Sequence, residues 1–136
     1  MLNWLKQLFG SSKPSPPPAR PAAFVPQYDS HEVSPQEVKK KLDDGAPIIL
    51  LDVREERELR IAAIPRALHI PMGEIHARYK EISDDPAAEV IVFCHHGARS
   101  EVVMHQLWGL GYQNAKVMPG GIDAWSVEID PKIPRY

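Results

Sequence analysis

Seven consecutive residues, Cys94-His95-His96-Gly97-Ala98-Arg99-Ser100, place the chain's only cysteine beside two imidazoles, a guanidinium and a hydroxyl. A cysteine attacks as its thiolate, and a free thiol with a pKa near ~8.5 is only about 3% ionised at pH 7. Hydrogen-bond donors and a helix dipole worth roughly 2.7 kcal/mol would raise that share to around three quarters. The loop has such donors to offer. If residues 95–99 curl around the sulfur, their backbone N–H groups and the first turn of a following helix converge on it as a nest for an anion. A lone cysteine at a strand end is more often a small buried hydrophobe. A buried structural cysteine has no need of His95, His96 and Arg99 clustered beside it.

The flanking residues predict the elements that would hold this loop. Before it, residues 89–93 are apolar and β-branched, the composition of a buried strand. After it, Val102, Val103, Leu107 and Leu110 recur at helical spacing until Gly111 supplies a stop. Cys94 is therefore expected where a strand hands over to a helix. Upstream, Val33 marks a short edge strand. Ser34-Pro35-Gln36-Glu37 then opens a helix, with a capping-box pattern and proline at its first position, that runs to about Leu42 before Asp43-Asp44-Gly45. Residues 47–53 read as a central strand ending in Asp52, Arg54 and Glu55, and residues 68–70 as a short strand. Residues 72–82 form one helix with Ile75, Tyr79 and Ile82 on one side. Residues 115–117 form a last strand, and Pro119-Gly120-Gly121 turns into a short helix containing Trp125. Strands alternating with helices predict an α/β domain with a mostly parallel sheet, whose ligand sits at the strands' carboxyl ends.

Composition narrows the classes. With 136 residues and 43% hydrophobic content the chain can bury one core. Its net charge of −2, with both signs interspersed, gives no footprint for nucleic acid. A single cysteine excludes an internal disulfide and a CxxC redox pair, which suits a reducing compartment. Residues 1–9 segregate into an apolar arc of Trp4, Leu5, Leu8 and Phe9 opposite Asn3, Lys6 and Gln7, an amphipathic segment too short to span a bilayer. It also lacks the cleavage site of a signal peptide, so the expected setting is cytoplasmic, with peripheral membrane contact through residues 1–9. Residues 10–27 carry six prolines among Gly10, Ser11 and Ser12 and read as a semi-rigid spacer. The domain proper is expected over 28–136.

Four segments, in this order and spacing, resemble the single-domain rhodanese-like sulfurtransferases: Leu51-Asp52-Val53-Arg54-Glu55, residues 64–71, the Cys94–Ser100 loop, and residues 119–125. The likeness covers about residues 30–130. It implies a five-stranded, mainly parallel sheet with helices on both faces, and a persulfide on Cys94. Family members commonly have Gly-His before the Ile-Pro and glycine after it, where this chain has Ala62-Ala63 and Arg66. That departure bears on the conformation of this loop and its contacts toward the site.

The expected activity is sulfur transfer. A Cys94 thiolate takes the outer sulfur of a donor such as thiosulfate, backbone N–H groups of His95, His96, Gly97, Ala98 and Arg99 hold it, and cyanide or an acceptor thiol removes it. With no second cysteine the acceptor is external, a small thiol or a sulfur-relay protein. Arg99 has two readings, guiding an anionic donor or pinning the loop through a carboxylate such as Glu101. His95 and His96 would add positive potential if partly protonated, or stand as plain loop residues. Arg66 would add charge at the pocket rim or sit solvated in its loop. Asp52 and Arg54 are assigned to charge pairing, and Trp125 to the core. No cofactor is implied. No metal site is expected, since adjacent histidines on a tight loop rarely direct both rings at one ion. Two alternatives remain: a noncatalytic binding module anchored by the N-terminal segment, and a cysteine-dependent phosphatase. Phosphatase relatives carry five residues between cysteine and arginine for a tetrahedral phosphate. Here four intervene, which suits a single sulfur atom.

Overall fold

The structure, a computed structural model, describes residues 31–136. The amphipathic segment 1–9 and the proline-rich segment 10–27 lie outside the described residues. Ser34 opens α1 (Pro35–Asp43): its Oγ accepts the Glu37 N–H at 3.2 Å, and Pro35 occupies the first turn, where no amide partner is required. The chain turns at Gly45 and enters β1 (Ile48–Asp52). There follow α2 (Glu56–Leu59), β2 (Leu68–His69), α3 (Ile75–Arg78), β3 (Glu89–Phe93), α4 (Ala98–Gly109), β4 (Ala115–Val117) and α5 (Gly121–Glu128).

The strands form one sheet in the order β2-β1-β3-β4, with every pair parallel. Parallel strands require crossovers, and these place helices on both faces. The pleat of β3 makes the division plain. Val90 and Val92 pack with Leu51, Val103, Met104 and Leu107 on the α4 side. Ile91 and Phe93 pack with Leu50, Val38, Ile122 and Trp125 on the side of α1 and α5. Val90 to Phe93 are fully buried, each worth roughly 1.5–3 kcal/mol by transfer from water. Asp52 and Phe93 end β1 and β3 in register, so the residues that follow both strands emerge at one edge of the sheet.

Two expectations need correction. Among the described residues the sheet has four strands, not five: Glu32 makes an isolated parallel bridge to Val117, supported by the Val33 N–H to the Val117 carbonyl at 2.9 Å. Residues 72–82 are not one helix. The backbone leaves α geometry at Glu74 (φ −109°) and Arg78 (φ −125°), so 3₁₀ turns Met72–Glu74 and Tyr79–Glu81 flank α3 while Ile75 and Ile82 stay buried. The single turn α2 is an addition, for four residues of which three are charged carry no readable periodicity.

Candidate active site

Cys94 follows the last residue of β3, between the central strand and the first turn of α4. It is 1% exposed. The Gly97 N–H donates to Sγ at 3.1 Å, and Ser100 Oγ lies 3.7 Å from Sγ while donating its own proton to the Gly97 carbonyl at 2.7 Å. Gly97 sits at φ +149°, a conformation open to glycine alone without strain, and this turns its amide back onto the sulfur. Among the amides of residues 95–99, that of Gly97 is the one within bonding distance of Sγ.

The loop is fixed from behind by α5. The Ile122 and Asp123 N–H groups donate to the Cys94 and His95 carbonyls at 2.9 and 3.2 Å. Because a trans peptide points its C=O and N–H in opposite directions, the His95 and His96 amides face away from α5. The approach requires Gly121, at φ +57°, where a Cβ would collide with the Cys94 carbonyl oxygen.

Arg99 is pinned by a carboxylate, and that carboxylate is Glu58, not Glu101. Two parallel bonds join them, Nη1 to Oε2 at 2.6 Å and Nη2 to Oε1 at 2.9 Å. Residues two apart on a helix do not share a face, so Glu101 cannot reach the Arg99 fork in this geometry. Glu58 also accepts from the Tyr136 hydroxyl at 2.9 Å, and that hydroxyl accepts from Arg54 Nη1 at 2.9 Å. Arg54, fully buried, grips Asp52 through Nε (3.0 Å) and Nη2 (2.7 Å), the charge pairing expected at the end of β1. A continuous polar chain Asp52–Arg54–Tyr136–Glu58–Arg99 thus runs from the central strand to α4. The Arg99 fork holds the Glu58 carboxyl down at a pKa of about 2, and in return Glu58 raises the guanidinium of Arg99. Burial pushes the Tyr136 phenol up.

The imidazoles lie at the outer rim. His95 is sandwiched between Tyr136, stacked at 3.8 Å and 6°, and His96 at 3.9 Å. Burial pushes the His95 imidazole below the ordinary histidine range, and the neighbouring His96 acts in the same direction, against the positive charge expected of it. His96 is exposed, its Nδ1 4.0 Å from Asp123. Asp123 is held in turn by Arg135, at 2.9 and 3.2 Å, which lowers its carboxyl. A cleft of about 210 Å³ opens beside the loop between His96, Gly97, Ala98, Ser100 and Gly120.

Glu58 and Tyr136 are the site residues that sequence reasoning missed. The signal for Glu58 was an arginine in need of a carboxylate, but nothing local says which one. Arg66 donates to the Leu42 carbonyl at 3.2 Å, at the end of α1, and borders a groove of about 330 Å³ with Lys39, Ile64 and Trp125. That groove holds no nucleophile. Trp125 is a core residue at 4% exposure. Where the family pattern departs, the contact toward the site is made by backbone: the Ala62 carbonyl accepts from Arg54 Nη2 at 2.8 Å, which any side chain at 62 permits.

The model of the rhodanese-like domain matches residues 34–128. The chain is similar to a sulfurtransferase of Allochromatium vinosum, 33% identical over 96 residues, covering 71% of this chain and 88% of that one. It is also similar to the adenylyltransferase and sulfurtransferase UBA4 of Candida albicans, 31% identical over 121 residues and 85% of this chain. There the chain spans only 28% of the relative's length, and two similar relatives of Zea mays are covered to 23% and 24%. Among solved structures, a rhodanese-related protein of Thermoplasma volcanium superposes with a TM-score of 0.66 at 27% identity, covering 78% of this chain and 99% of that one.

Proposed function

Because the chain belongs to the rhodanese-like domain family, we propose that it is a sulfurtransferase that carries a sulfane sulfur on Cys94, from a donor such as thiosulfate to an external thiol or cyanide. The observation that carries this reading is the position of Sγ, at the carboxyl end of the central strand with the Gly97 amide on it and the 12-residue α4 beginning four residues on. The thiolate attacks the outer sulfur of thiosulfate, a Cys94–S bond forms, the donor's S–S bond breaks and sulfite leaves. The added sulfur carries the negative charge that the thiolate brought. The amides of His95 and His96 and the first turn of α4 are the donors available to it, as an oxyanion hole serves oxygen.

The second half-reaction is the reverse displacement. An acceptor thiolate or cyanide attacks the outer sulfur, and Cys94 returns to its thiolate. With one cysteine in the sequence, no internal thiol can resolve the persulfide. A sulfur-relay protein as acceptor, a cytoplasmic setting and peripheral membrane contact through residues 1–9 belong to the same proposal.

Its test is the intact mass of the full chain after incubation with sulfane-sulfur donors, beside Cys94→Ala. The wild type is expected to gain one sulfur atom and to lose it to cyanide as thiocyanate, and the variant to gain none. Equal sulfur uptake by both forms would remove Cys94 as the carrier.

A further inference from the structure

Two side chains of the cysteine loop are gripped from a distance, Arg99 by Glu58 and His95 by Tyr136. After α5 the chain turns back toward the loop. The Ile129 and Asp130 N–H groups both donate to the Trp125 carbonyl at 2.9 Å, Ile133 is buried in the core that holds Trp125, and Ser126 Oγ donates to the Ile133 carbonyl. Arg135 then forks onto Asp123, at 2.9 and 3.2 Å, and the next residue is Tyr136. Its ring lies nearly parallel to the His95 imidazole, at 3.8 Å and 6°, with the Arg54 guanidinium carbon 5.8 Å from its centroid. Its hydroxyl is held on two sides, accepting from Arg54 Nη1 and donating to Glu58 Oε1, each at 2.9 Å. The ring is thus fixed at both ends where it meets the loop.

Two peptide planes meet at the His95 Cα, and they carry the His95 and His96 N–H groups offered to the sulfur added to Cys94. Helix α5 holds the carbonyl of each plane, through the Ile122 N–H on Cys94 and the Asp123 N–H on His95. A plane pinned at its oxygen can still rock about that point. The third point of support is the His95 side chain. We propose that Tyr136 is a positioning residue for sulfur transfer, on the reading that Cys94 is the carrier: its stack on His95 stops the rocking and keeps both N–H groups aimed at the transferred sulfur. The role belongs to the ring, since a stacked aromatic pair contributes beyond the area it buries. Tyr136 is 37% exposed, so its replacement empties no core. A small displacement of donors from a reacting atom is costly in rate even where it is cheap in stability.

The test is a double-mutant cycle in the full chain, read as kcat and KM for loading of Cys94 from thiosulfate and from inorganic polysulfide, on variants whose unfolding midpoints show them folded. Tyr136→Leu is expected to lower kcat about tenfold and to leave KM within about twofold, whichever donor loads the wild type. Tyr136→Phe keeps the ring and loses the hydroxyl, and is expected to stay within about threefold of the wild type. His95→Ala removes the other half of the stack, so adding Tyr136→Leu to it is expected to slow loading by less than about twofold more. In proton NMR spectra the His95 ring resonances, shifted upfield by the facing ring, are expected to stay in place in Tyr136→Phe and to move downfield in Tyr136→Leu. Loading by Tyr136→Leu as fast as by the wild type, Tyr136→Phe as slow as Tyr136→Leu, or effects of Tyr136→Leu and His95→Ala that multiply would each overturn the inference and leave Cys94 as the carrier. A wild type that takes up sulfur from neither donor removes the sulfurtransferase reading, and the inference with it.

Discussion

Glu58 decides how much freedom the loop arginine has. Its side chain is buried to 12% exposure and answers Arg99, Tyr136 and the Glu55 N–H at once. Replacing it with glutamine keeps the shape but removes the charge opposite Arg99, and about 2 kcal/mol of stability is expected to go with it. The pH dependence has a defined sign. The folded-state pKa lies near 2 against 4.5 for the free group, so the stabilisation is complete above pH 4.5 and is lost as pH falls from there toward 2. Urea midpoints across this acid range should fall more steeply for the wild type than for Glu58→Gln; parallel slopes would mean that Glu58 is not held by Arg99 in solution. The cysteine loop was legible because its seven residues are contiguous. The residues that complete it were not, because Glu58 stands 41 positions before Arg99 and Tyr136 stands 82 after Arg54. Only folding brings those partners together, and the sequence offered Glu101, near in number but facing elsewhere.

At the scale of elements, the site is a junction of β3, α4 and α5, and its tightest tolerance is at Gly121. An alanine there must adopt φ +57° and also push its Cβ into the Cys94 carbonyl, so two effects act together. Gly45, at φ +70° with open space around it, isolates the first effect. Gly45→Ala is expected to cost about 1 kcal/mol and leave sulfur loading unchanged. Gly121→Ala is expected to cost about 3 kcal/mol and slow loading at least tenfold, because α5 must withdraw from the carbonyls that orient the loop. Thermal unfolding and donor-loading rates read both quantities, and equal behaviour of the two variants would show that the α5 contact does not position the loop. The Pro119-Gly120-Gly121 turn was visible in the sequence, but its reason was not, since the collision is with a backbone 26 residues away or more. Long apolar runs such as β3 declared themselves, whereas α2, the broken 72–82 segment and the missing fifth strand depend on backbone angles and pairings that composition does not encode.

Residues 31–136 form one compact unit with a core on each face of its sheet, and every residue of the site lies within it. Among these residues no helix is long and apolar enough to cross a membrane. The proposed membrane contact rests on the apolar residues Trp4, Leu5, Leu8 and Phe9 of the amino-terminal segment. Burial of such side chains is worth roughly 1.5–3 kcal/mol each at most, and an interfacial segment of this kind recovers only part of that, so attachment would be weak and reversible. Removing residues 1–27 is expected to abolish flotation with anionic liposomes while leaving the rate of Cys94 loading within about twofold of the full chain, because the described unit closes its own core. Flotation equal in both forms would dispose of the membrane contact. A large loss of loading on truncation would instead make the amino-terminal residues part of the catalytic unit, against the expectation that residues 31–136, whose own hydrogen bonds hold the cysteine loop, suffice for it.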